Sequence, residues 1–202
     1  MKTNKTLGIM GGTFDPIHIG HVDMAVFCKE KYSFSKFLFI PTGAPPHKLS
    51  QASDKYHRLN MTKLALRELD FAEVSDMEIK REKTTYTFDT LQALKKDYPE
   101  WELYYIIGAD TLAELHTWYR FDEVVKLTNF LVVDRNADKS IDITDLIIKY
   151  KQIYNATIIN TEYMGIDISS TEIRRKIKQR EPICGLVDKA VEEYIYTNEL
   201  YL

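Results

Sequence analysis

The sequence predicts an α/β domain, doubly wound around a mainly parallel sheet and closed by C-terminal helices. Two observations carry this expectation. Short apolar runs of strand length alternate with stretches of helical spacing along the chain, the pattern of parallel strands buried on both faces by crossover helices. Polar or glycine-bearing segments directly follow four of the predicted strands, Gly11–His21, Thr42–Lys48, Gly108–Asp110 and Asp134–Asn136, and in such folds ligands bind beyond the carboxyl ends of the strands.

The elements read in order as follows. Leu7–Met10 forms a first strand, and Gly20 to about Lys31 a helix with Val22, Ala25, Val26 and Phe27 on its apolar side. Lys36–Pro41 is a second buried strand, and Pro41–Lys48 a loop rich in proline and glycine. An amphipathic helix spans about Ser53 to Leu69, and a third strand Ala72–Ile79. Phe88–Tyr98 is helical, Leu103–Ile107 a strand, and Leu112–Leu115 and Phe121–Leu127 short helices; Phe130–Val133 and Thr157–Ile159 complete the strands. In Ile168–Arg175, serine and threonine precede Glu172, with Ile173 and Ile177 on one side, as at a capped helix start.

The 202 residues, 45% hydrophobic and 28% charged, suit one domain spanning 1–202. No apolar run is long enough to cross a bilayer, no signal-type segment follows the N-terminus, and a cytoplasmic location is expected. A formal charge of −3 supplies no basic face for polymeric nucleic acid. An anion must then be held by a local site. Cys28 and Cys184 are well separated and expected to be reduced thiols.

The stretch GGTFDPIHIGH, Gly11–His21, is that local site. Gly11 and Gly12 lack Cβ atoms, so the sequence predicts positive φ or close backbone approach to a polyphosphate. His18 and His21 lie three apart at a helix start and are expected to share a face beside unpaired amides. Imidazole N–H groups there would hydrogen-bond to charge growing on oxygen as a P–O bond breaks. A metal pair would need further ligands, and no Cys/His cluster supplies them. Ser170, Thr171 and Arg174 make either a well-capped helix start or a second phosphate site.

Together GGTFDPIHIGH and SSTEIR resemble the HxGH nucleotidyltransferase superfamily. With PPHK, TYTFDTL, IIGAD and TWY in that order, the chain is similar to the bacterial nicotinate-mononucleotide adenylyltransferases from Leu7 to the C-terminal helices. The resemblance implies a Rossmann-like nucleotidyltransferase fold. It also implies transfer of AMP from ATP to nicotinate mononucleotide, giving nicotinate adenine dinucleotide and pyrophosphate in NAD biosynthesis, by direct in-line attack. His18 and His21 would be catalytic. Gly11, Gly12, Thr13 and Phe14 would lie near the ATP phosphates, with Ser170, Thr171 and Arg174 on the outer ones and Asp110 on a ribose hydroxyl. Thr42, His47, Lys48 and Arg135 would serve the mononucleotide. Trp118 would stack on its pyridine ring, and amides around Thr85 and Tyr119 would bind its carboxylate. Mg²⁺ would ride on the ATP phosphates, and a homo-oligomer is compatible with the sequence.

Two positions depart from the family pattern: Thr42 stands where asparagine is frequent, and Asn136 where proline follows the arginine. Read from the residues alone, Asp110 could be a helix cap and Trp118 a core aromatic. His57 and His116 are expected to be surface or structural. The competing readings are another HxGH transferase, acting on phosphopantetheine or forming cytidylyl products, and a nucleotide-binding regulatory module without turnover. The GAD and TWY motifs argue against the former, and retention of His18, His21 and Arg174 against the latter.

Overall fold

A computed structural model describes residues 5–44, 52–134 and 143–202. Six strands form one parallel sheet in the order β3-β2-β1-β4-β5-β6, with β1 Thr6–Gly12, β2 Lys36–Pro41, β3 Ala72–Val74, β4 Glu102–Gly108, β5 Asn129–Asp134 and β6 Ile158–Met164. The chain steps outward from β1 in one direction, then crosses back to β4 and steps outward the other way. β1 and β4 are therefore neighbours whose connections leave in opposite senses, which opens a crevice at their carboxyl ends. The four loops singled out in the sequence follow β1, β2, β4 and β5, the four central strands.

Period-two alternation explains why both faces of these strands are buried. Met10, Phe37, Phe39, Ile106, Leu131 and Val133 face one core, while Leu7, Ile9, Leu38, Ile40, Leu103, Tyr105, Ile107, Phe130 and Val132 face the other. The first face is covered by α1 (Ile19–Tyr32), α7 (Ser170–Lys178) and α8 (Lys189–Thr197), through residues such as Met24, Ile173 and Ile195. On the second lie α3 (Thr87–Asp97), α4 (Ala109–Glu114), α5 (Phe121–Leu127) and α6 (Ile143–Tyr154), contributing Leu91, Leu112, Val124 and Tyr150. The remaining helix, α2 (Lys55–Leu66), packs near α8 and buries Met61 and Leu66. Burying one such aliphatic side chain contributes roughly 1.5–3 kcal/mol.

Three expectations about elements are corrected. The third strand ends at Val74, not Ile79: the Ser75 N–H makes a last bond to the Phe39 carbonyl at 2.9 Å, and the chain then coils through the turns Lys80 N–H to Asp76 O and Arg81 N–H to Glu78 O. Pro41 has no N–H to extend the ladder. The second helix is shorter than 53–69: it runs Lys55–Leu66, and its start is set by the Asp54 side chain, which caps it by accepting from Tyr56 N–H. Helix α6 was not anticipated, although Ile143, Leu146, Ile147, Tyr150 and Tyr154 recur at helical spacing and all reach the second core.

Candidate active site

The crevice between the carboxyl ends of β1 and β4 is a cleft of ≈ 1210 Å³. On one side Gly11, Gly12, Thr13, Phe14 and His21 line it with Ser170, Thr171 and Arg174; Asp110, Trp118 and Tyr119 line the other, with Thr42 and Thr85 closing the end nearest β2. His18 is not among the lining residues. His47, Lys48 and Arg135, with the rest of PPHK, lie outside the described residues.

Gly11 and Gly12 do not adopt the expected positive φ. Among the described residues the glycine with positive φ is Gly185; in the turn it is Phe14 that adopts the left-handed region, at φ 51°. A Cβ on Gly11 would sit 2.0 Å from the Tyr105 hydroxyl, and one on Gly12 would lie 2.8 Å from the Phe14 ring. Close approach of these two rings therefore excludes larger residues, and the Phe14 ring meets His21 edge to face at 5.1 Å. The Asp15–Pro16 peptide that follows is cis.

His18 is the N-cap of α1, with extended backbone, and His21 stands in the first turn. Their rings lie 3.7 Å apart at 30°. Both imidazoles do share one side of the turn, but His18 is only 2% exposed and sits beneath His21, which reaches the cleft wall. The His18 backbone N–H donates to His21 Nδ1 at 3.3 Å. A neutral His21 then carries its proton on Nε2, a donor.

Helix α7 is capped by Ser169, whose hydroxyl accepts from Glu172 N–H at 3.1 Å. Its first turn is tied to the glycine turn: Ser170 Oγ donates to the Pro16 carbonyl at 2.9 Å, Arg174 Nη1 donates to the Asp15 carbonyl at 2.7 Å, and Arg174 Nη2 to Thr171 Oγ1 at 3.2 Å. The SSTEIR segment and GGTFDPIHIGH thus form one wall, rich in donors. Among the described residues no group of three His, Cys, Asp or Glu side chains is placed to hold a metal ion. The donors of this wall suit the anionic phosphates of a nucleotide.

Across the cleft, Asp110 is in the first turn of α4, whose N-cap is Gly108, so Asp110 is not the cap. A Cβ on Gly108 would fall 2.3 Å from the Asp110 carboxylate. Trp118 packs edge-on against Tyr105 at 5.8 Å and Phe130 at 6.3 Å while lining the cleft, which joins its two sequence readings, core and site. Tyr119 is half exposed and its ring pairs with Tyr86 at 4.6 Å. The Thr85 N–H donates to the Ala44 carbonyl at 2.9 Å, so in this structure that amide has a partner within the protein.

Sequence reasoning missed the residues that brace these loops. Arg58, 3% exposed, donates from Nη1 to the Thr13 carbonyl at 2.8 Å and to Thr42 Oγ1 at 3.4 Å, from Nη2 to the Gly43 carbonyl at 3.3 Å, and from Nε to the Ser53 carbonyl at 3.1 Å. One guanidinium so ties the loop after β1 to the loop after β2. Burial lowers its pKa, and Asp15, Tyr201, Asp54 and Glu78 nearby oppose that. Its signal was an arginine on the buried stripe shared by Leu59, Thr62 and Leu66. Glu78, 6% exposed, accepts from the Thr90 hydroxyl at 2.7 Å; burial raises its pKa against that bond and the Arg81 charge. His57 and His116, expected to be surface or structural, have Nδ1 atoms 2.9 Å and 3.2 Å from the hydroxyls of Tyr194 and Tyr150, and His116 is also exposed.

A doubly wound sheet with a glycine turn, an arginine and a capped helix at its switch point defines a nucleotide-binding α/β protein, and residues 9–176 match the cytidylyltransferase-like family model. A relative from Thermoanaerobacter sp. (strain X514), named "Probable nicotinate-nucleotide adenylyltransferase", is 41% identical over 100% of this chain and 96% of its own; one of the same name from Desulfitobacterium hafniense (strain Y51) is 38% identical over 98% and 96%. The chain belongs to the cytidylyltransferase-like family and, within it, to the nicotinate-nucleotide adenylyltransferases. The solved Plasmodium falciparum nicotinic acid mononucleotide adenylyltransferase complexed with NaAD shares the fold, with a TM-score of 0.82 at 21% identity and 98% of each chain covered.

Proposed function

We propose that this chain, acting as one domain in the cytoplasm, transfers AMP from ATP to nicotinate mononucleotide, releasing nicotinate adenine dinucleotide and pyrophosphate. The observation that carries the reading is the single cleft in which a donor-rich wall, His21 with Ser170, Thr171 and Arg174, faces Asp110 and Trp118. An ionised mononucleotide phosphate needs no general base. One of its oxygens attacks the α-phosphorus as the bond to the β-phosphate oxygen breaks, and pyrophosphate leaves with that electron pair. Catalysis is then positioning and charge stabilisation. His21 Nε2–H and the Arg174 guanidinium serve the transferring and leaving phosphates. His18 orients His21 from below, and the Gly11–Phe14 backbone receives the α-phosphate. Mg²⁺ bound to the ATP phosphates supplies further charge neutralisation.

Asp110 accepts from a ribose hydroxyl of ATP; on the acceptor side Trp118 stacks on the pyridine ring, and Thr42, His47, Lys48 and Arg135 serve the mononucleotide. A nicotinate carboxylate reads the N–H of Tyr119, and takes that of Thr85 by replacing the Ala44 carbonyl as its acceptor. Donor-only amides suit a carboxylate and leave a carboxamide NH₂ facing a donor. Pyrophosphate release with ATP and Mg²⁺ is to be measured against nicotinate mononucleotide, nicotinamide mononucleotide and phosphopantetheine in parallel. The acid should react at least tenfold more efficiently than the amide and phosphopantetheine not at all; equal use of acid and amide would overturn the specificity.

A further inference from the structure

We infer that Tyr201 is a positioning residue for ATP, acting through Asp15; the inference rests on the adenylyl-transfer reading. Asp15 sits in the glycine–histidine turn between the phosphate-facing backbone and His18, and it is 4% exposed. Its carboxylate accepts from the Tyr201 hydroxyl at 2.6 Å and from the Ser53 N–H at 3.2 Å, while its carbonyl accepts from Arg174 Nη1 at 2.7 Å. Tyr201 lies outside the cleft lining, whereas Asp15, which it bonds, lines the cleft.

The chain after α8 is shaped to deliver that hydroxyl. Asn198 N–H bonds back to the Tyr194 carbonyl and Leu200 N–H to the Ile195 carbonyl, and both Glu199 and Tyr201 adopt left-handed backbone, at φ 52° and 65°. Such conformations are unfavourable for residues bearing a Cβ and persist where the surroundings fix them. Burial and the adjacent carboxylate push the Tyr201 hydroxyl well above the ordinary tyrosine range, so it remains a donor. The Asp15 carbonyl fixes where the Arg174 guanidinium stands. A phosphate-binding arginine displaced by an ångström loses much of its effect, and Tyr201 is the group that holds its anchor from behind.

Tyr201→Phe keeps the ring and removes only the donor. With nicotinate mononucleotide saturating, KM for ATP should rise about tenfold, the change expected when a hydrogen bond to a charged group is lost. KM for the mononucleotide should stay within about twofold, and calorimetric titration with ATP alone should show the same selective weakening. Asp15→Asn should weaken ATP similarly, and the double variant should be less than additive, since the two residues act as one unit. Unchanged ATP affinity in Tyr201→Phe, equal weakening of both substrates, a lowered melting temperature with ATP binding intact, or full additivity would each overturn the inference. The wild type separates this from the parent reading. If it binds ATP but does not adenylylate nicotinate mononucleotide, the functional reading fails while the ATP titration still tests Tyr201; if it binds no ATP, both fail.

Discussion

Replacing Arg58 by methionine keeps an unbranched apolar stem on the buried stripe, shorter than the arginine, and deletes every donor. Two of its bonds have good geometry, to the Thr13 carbonyl at 2.8 Å and the Ser53 carbonyl at 3.1 Å; those to Gly43 O and Thr42 Oγ1 are longer, at 3.3 and 3.4 Å. Charged hydrogen bonds contribute about 1.5–3 kcal/mol each, so the two good ones are worth roughly 3–6 kcal/mol, offset in part because methionine has no charge to desolvate. A net loss of about 3 kcal/mol corresponds to a fall in melting temperature of roughly 6–12 °C for a chain of this size. Arg58→Lys, with one compact ammonium, should lose about half as much. Because Arg58 grips the loops after both β1 and β2, KM should rise for both substrates, unlike the ATP-selective effect at Tyr201. Urea unfolding with steady-state kinetics tests this. A loss below about 1 kcal/mol, or unaltered KM values in Arg58→Met, would refute the bracing argument.

The remaining expectations concern the chemistry and one buried acid. His21→Ala should reduce kcat about 10²–10³-fold with ATP affinity changed far less, as for a lost transition-state donor; near-normal turnover in the folded variant would remove His21 from the chemical step. Trp118→Ala should raise KM for nicotinate and nicotinamide mononucleotides alike, about tenfold for lost stacking, and keep the preference for the acid; a KM that does not move would return Trp118 to the core alone. Glu78 has a pKa raised above the ordinary 4.5 by burial. The folded chain therefore holds that proton more tightly than the unfolded one, and the associated stability, complete below the unfolded value, is lost as pH climbs through the folded value. Relative to Glu78→Gln, the wild-type melting temperature should fall as pH rises from below 4.5 toward neutrality. Parallel curves for the two proteins would contradict this.

The elements most legible in the sequence are those whose signal is local. Strand β2 and helix α5 have the bounds read from periodicity, because apolar alternation and helical spacing are properties of neighbouring residues. The glycine turn, the capped start of α7 and the alternation of strands with helices were legible for the same reason. Helix α6 carried an equally local signal and was passed over.

What the tertiary structure alone decided is how these segments meet. The 3-2-1-4-5-6 strand order places the turns after β1 and β4 side by side, and no run of residues encodes that adjacency. The glycines at 11 and 12 were evident, but the Tyr105 hydroxyl from the neighbouring strand and the Phe14 ring folded back on the turn, which crowd those positions, were not. His18 and His21 were found by spacing, yet which of them faces the cleft depends on the depth at which α1 starts. Arg58 had only its place on a buried helical stripe to mark it and Tyr201 had nothing, and neither signal named the partners Thr13 and Asp15, which lie 45 and 186 residues away. Which chemistry the chain carries is thus written in short-range patterns that fix secondary structure and motif. Only the fold decided which side chains hold that chemistry in place, because hydrogen bonds between distant side chains and loop carbonyls leave no periodic trace along the chain.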